Sequence, residues 1–148
     1  AMQAHPQEAE VQRQGCWALR NVCSGTDAAG RARKQRAASQ RAAEAGTVEA
    51  IVAAMQALPQ VAGVQKNCCA ALGDVCCSTD GAGFAREQRA ADAGAIEAVV
   101  AALQAHPQHA CMQQTGCAAL VNLCFGGDAA ALARRQRAVI AGAPEAVA

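Results

Sequence analysis

The chain has no tyrosine, and Trp17, Phe84 and Phe125 are its only aromatic residues among 148 positions. A core without large rings must be closed by small side chains on elements that approach closely. Excess charge of either sign is also missing: 13 Lys and Arg against 12 Asp and Glu leave a formal charge of +1, which removes any global pull toward nucleic acid or anionic membrane. Long apolar runs are absent, because Glu49, Glu97 and Glu145 cut the stretches far short of the roughly 20 residues a membrane span needs. No charged-then-apolar leader opens the chain. Its nine cysteines are an odd number, which argues against a disulfide framework and for an intracellular reducing compartment, the cytoplasm being the expected one. Gly-rich phosphate loops, a supported Ser-His-Asp order and recurring acid pairs outside caps and helix surfaces are lacking too, so neither enzymatic activity nor a cofactor is expected.

What is present is repetition. Ala1-Met2-Gln3-Ala4-His5-Pro6-Gln7 returns from Ala54 to Gln60 and again from Ala102 to Gln108, at spacings of 53 and 48 residues. Periods of this size belong to stacked helical arrays, in which one unit cannot bury its apolar face alone and lends it to a like neighbour. Asp27, Asp80 and Asp128 recur as N-caps of a first helix, and Gly46, Gly94 and Gly142 recur where that helix stops. A second helix comes next, with Ile96, Val99, Val100 and Leu103 on one face. Pro6, Pro59 and Pro107 then end the second helix and are expected in the first turn of a third.

The third helix carries a stripe of Met112, Gly116, Ala119, Leu120, Leu123 and Cys124. Val64, Cys68, Ala71, Leu72, Val75 and Cys76 reproduce it, as do Val11, Gly15, Ala18, Leu19, Val22 and Cys23. The longer first spacing is visible as a doubled Gln-Arg-Ala-Ala, Gln35 to Ala38 and Gln40 to Ala43. Uninterrupted, five added residues would turn a helix face by about 140°, so a bulge, a break or a longer first helix must absorb them.

The capped first helix, the glycine, the Gly94 to Val100 opening of the second helix, the proline and the Trp17-Ala18-Leu19-Arg20-Asn21-Val22-Cys23 ending together resemble the armadillo repeat of importin-α and β-catenin type. The resemblance implies an all-α, right-handed α-solenoid of three-helix units: two complete repeats at 26–78 and 79–126, with partial ones at 1–25 and 127–148. It also implies a concave third-helix surface on which Asn side chains grip a partner's backbone and Trp side chains form slots for its residues. Carried over by position, the Asn column is Asn21, Asp74 and Asn122, and the Trp column is Trp17, Ala70 and Ala118. Only the first copy keeps both.

The resulting expectation is a scaffold that binds a partner protein or extended peptide through Trp17, Asn21, Asp74 and Asn122, with Arg13, Arg20 and Lys66 setting the local charge. The alternative for Trp17 is packing against a neighbouring unit. Arg33, Arg86 and Arg134, with Arg36, Arg89 and Arg137 three residues on, line up as a basic edge able to contact RNA or anionic lipid, unless they form an ordinary solvated face. Cys16, Cys69 and Cys117, with Cys23, Cys76 and Cys124, read as small core residues two turns apart, while Cys68, Cys77 and Cys111 fall outside those columns. His106 and His109 lack a third ligand, so no metal is expected. Because the sequence begins and ends inside second-helix patterns, both end faces are expected to be apolar: either the chain is a piece of a longer array, or its ends are covered by head-to-tail copies or by other subunits of a larger complex.

Overall fold

Gly46, Gly94 and Gly142 adopt positive φ of 77°, 86° and 91°, the conformation that lets one helix stop and the next leave in a new direction. The computed structural model describes residues 1–23, 46–77 and 81–146. Asp27, Arg33, Arg36, Asp80 and the doubled Gln-Arg-Ala-Ala lie outside the described residues. Those described form eight helices and no strand: α1 Ala9–Cys23, α2 Thr47–Ala57, α3 Ala62–Cys76, α4 Gly81–Asp92, α5 Ala95–Ala105, α6 Ala110–Leu123, α7 Ala129–Ile140 and α8 Ala143–Ala146.

Helices of the same sequence type pack on one another. The third helices α1, α3 and α6 form a row, with α3 in the middle, and α2 lies against α5 and α4 against α7. The expected cap is made at Asp128, whose Oδ1 accepts from Ala131 N at 2.8 Å at the start of α7. The prolines do not enter the third helices. They sit in the connecting turn, and α1, α3 and α6 begin three residues after Pro6, Pro59 and Pro107. The turn closes on itself first, through His109 N to His106 O and Val61 N to Leu58 O, leaving the helix to start beyond it.

The core tracks the third-helix stripe. Val64, Cys68, Ala71, Leu72, Val75 and Cys76 of α3 are fully buried, as are Met112, Ala119 and Leu123 of α6. In α1, which among the described residues has a third helix on one side only, Ala18 is exposed and Leu19 half-buried. The small residue at Gly116 makes room for Leu103 of α5: a Cβ there would stand 2.6 Å from Leu103 Cδ2. Gly15 bears the same relation to Met2, at 2.5 Å.

Candidate partner-binding surface

The row formed by α1, α3 and α6 presents one face to solvent, and its chemistry changes along the row. On α1, Trp17 is 52% exposed, with Asn21 one turn away and also exposed. Arg13 precedes Trp17 by a turn and holds Glu10 through two contacts, Nε to Oε2 at 2.9 Å and Nη2 to Oε1 at 2.6 Å. Those hydrogen bonds lower the Glu10 carboxyl to about 2. Arg20 lies 3.4 Å from Asp74 of α3, whose carboxyl is nonetheless pushed up by burial. Lys66 of α3 occupies the register position of Arg13 and is half-buried. Next to these charges, the Trp column continues only as half-buried Ala70 and exposed Ala118.

Much of the Asn column is engaged between helices. Asn122 donates from Nδ2 to Gly73 O of α3 at 3.1 Å, and Asp74 faces Arg20 across the same kind of junction one unit earlier. Of the three positions, only Asn21 is exposed.

Of the basic edge, Arg86 and Arg134 are internal. Each is 3% exposed, and each donates from Nε to the last carbonyls of the preceding third helix, Arg86 to Val75 O at 2.8 Å and Arg134 to Leu123 O at 2.7 Å. Arg134 also donates to Phe125 O at 2.9 Å and pairs with buried Glu87 at 2.5 Å. Arg89 and Arg137 lie further out and pair with Glu49 and Glu97, each forty residues earlier. The alignment therefore serves as a set of latches between helices, because guanidinium donors satisfy carbonyls that a helix C-terminus leaves open.

Two internal groups escaped the sequence reading. Gln12, Gln65 and Gln113 recur in register, and each side-chain amide donates to two carbonyls at the end of the preceding second-helix segment: Met2 and His5, Met55 and Leu58, Leu103 and His106, at 2.7 to 2.9 Å. Their triple recurrence was the signal that could have found them. The other is Glu87, an acid in a column whose other members are Lys34 and Arg135. Burial pushes its carboxyl up to about 7 against the opposing pull of Arg134, and its Oε1 has no hydrogen-bond partner among the described residues.

A different chemistry occupies the far end of the row. Val121, Phe125, Leu132, Val139 and Ile140 are 46 to 86% exposed. Beside them a groove of about 740 Å³ is lined by Phe84, Leu120, Val121, Phe125, Ala138 and Ala143. His106 meets Pro59 O at 2.9 Å and His109 accepts from Met112 N at 3.2 Å, so both rings are engaged locally. Among the described residues no three His, Cys, Asp or Glu side chains gather as a metal site, and no helix is long and apolar enough to cross a membrane. No family model, curated protein or solved structure matches the chain.

Proposed function

We propose that the chain is an armadillo-type right-handed α-solenoid that works as a non-enzymatic interaction scaffold, binding a segment of a partner protein on its third-helix surface. Trp17 carries this reading. Trp17 leaves a large ring half in water in a chain with so few aromatics, and tryptophan is enriched among the residues that dominate interface energies. Its surroundings define the preferred partner. Lys66 favours an acidic residue in the bound segment, Arg13 and Arg20 being partly countered by Glu10 and Asp74, and Trp17 favours an apolar or planar one beside it. The exposed Asn21 amide has both a donor and an acceptor for the segment's backbone. With Asp74 and Asn122 engaged between helices, recognition centres on the α1 end and a short segment suffices.

The test is affinity capture on the full chain, and then titration of the captured partner against wild type and Trp17→Ala. Loss of a central aromatic contact weakens binding at least tenfold, corresponding to about 1.4 kcal/mol or more, while the melting temperature stays within about 2 °C. Unchanged binding with a sharply lowered melting temperature would instead assign Trp17 to packing.

A second reading, a permanent subunit of a larger assembly, draws support from the exposed Val121, Phe125, Leu132, Val139 and Ile140. Co-purification that survives stringent washing and requires these residues rather than Trp17 distinguishes it. The basic edge as an RNA or lipid contact has no comparable support, since Arg86 and Arg134 are buried.

A further inference from the structure

Cys16 of α1 and Cys68 of α3 are both fully buried, and their sulfurs lie 3.0 Å apart, in a pair where either thiol can donate to the other. They are 52 positions apart in the chain and belong to different helices of the row. The repeat register makes this pair specific to one junction. The position of Cys68 is glycine in the other two copies, Gly15 and Gly116, whereas the position of Cys16 is cysteine throughout, as Cys69 and Cys117. The corresponding pair at the next junction is therefore Cys69 with Gly116, which offers one thiol and no partner.

We propose that Cys16 and Cys68 are a modification site, a reversible disulfide staple that fastens α1 to α3 when the surroundings become oxidising. The oxidant required is a low-molecular-weight disulfide such as oxidised glutathione. One cysteine, as its thiolate, attacks the external disulfide and releases the first small thiol. The second attacks the resulting mixed disulfide and releases the other. Two protein S–H bonds and one external S–S bond thus become one internal S–S bond and two small-molecule thiols, with the two electrons passing to the oxidant.

The closed structure guards the pair. The hydrogen bond that the protonated Cys68 donates to Cys16, together with burial, holds the Cys68 thiol well above its ordinary range, and neither sulfur is open to solvent. Access comes by local opening of α1, which among the described residues is held chiefly by α3 and more lightly by α2, so that one motion uncovers both thiols together. Cys77 and Cys111 differ in being exposed, and they react as separate single thiols. Because Trp17 is the next residue after Cys16, the staple fixes the helix that presents it. The chemistry of the staple does not depend on Trp17 binding anything.

The experiment treats the full chain with oxidised glutathione under native conditions, alkylates the remaining thiols and maps linked peptides by mass spectrometry. Wild type is run beside a Cys77→Ser/Cys111→Ser background that removes the thiols exposed among the described residues. The expected result is a Cys16–Cys68 linked peptide in both. In the background variant, two thiols are lost on denaturing titration and the melting temperature rises by about 5 °C, reversed by dithiothreitol. Cys68→Gly, which installs the residue of the other two copies, loses the linked peptide and the rise. A link from Cys16 to Cys69, oxidation that leaves Cys16 and Cys68 unlinked, or a rise that persists in Cys68→Gly would overturn the proposal.

Discussion

Glu87 departs from its column, standing as an acid where the other copies carry a base, and the departure makes stability depend on pH. Its ionised form is opposed by burial and favoured by Arg134, and burial prevails, so the proton is held more tightly in the folded chain than in the unfolded one. A carboxyl whose folded value rises from 4.5 to about 7 contributes its full stability below about pH 4.5 and loses it as the pH rises through 7. Melting temperatures of wild type relative to Glu87→Gln should therefore decline from pH 4.5 to pH 7.5, and the decline belongs to this residue alone because the other carboxyls cancel in the difference. Arg134→Ala acts in the opposite sense. It leaves Leu123 O and Phe125 O without their guanidinium donor and the Glu87 carboxyl unpaired, and denaturant unfolding should show a loss of about 3 to 5 kcal/mol at pH 8.

Between elements, the recurring glutamines join each second-helix segment to the third helix after it. A single amide group reaches two carbonyls that the end of the helix and the turn leave open, which fixes the angle at which the chain re-enters a helix beyond the proline. Gln65→Leu keeps much of the volume and removes both bonds. Its expected cost in denaturant unfolding is about 1 to 3 kcal/mol, and Gln113→Leu should match it because the same pair of contacts is lost. Gly116→Ala tests the other constraint at this junction. Its new methyl group would crowd Leu103, and overpacking of this kind costs about 1 to 3 kcal/mol. The glutamine column was legible as a repeat but silent as to role, since polar residues one turn into a helix usually face water. Only the positions of the facing carbonyls reveal the clamp.

Over the whole molecule, polarity is graded along the row of third helices. The α1 end presents Trp17, Asn21 and arginines, whereas the α6 and α7 end presents Val121, Phe125, Val139 and Ile140. The column of Arg20, Gly73 and Val121 illustrates the change: the first pairs with Asp74, the second has its carbonyl taken by Asn122, and the third is open to solvent. Charged substitutions at this end, Val121→Glu together with Ile140→Glu, should leave unfolding free energy within about 1 kcal/mol, because neither side chain is packed. Retention on a hydrophobic matrix should drop markedly in the same variant.

The helices, their order and most of the buried stripe were determined by the chain alone, because a spacing of three and four residues and a glycine with positive φ are local facts that three copies repeat in register. The tertiary structure decided which members of each column are buried or exposed, and which polar groups meet. Six arginines in register looked like one surface. Packing took Arg86 and Arg134 inside, since carbonyls at the ends of neighbouring helices needed donors, and joined Arg89 and Arg137 to Glu49 and Glu97. Trp17 was conspicuous in the sequence, but its exposure depends on which helices lie beside α1. Local periodicity is written in neighbouring residues, whereas partners forty to fifty positions apart are chosen only when the chain closes on itself.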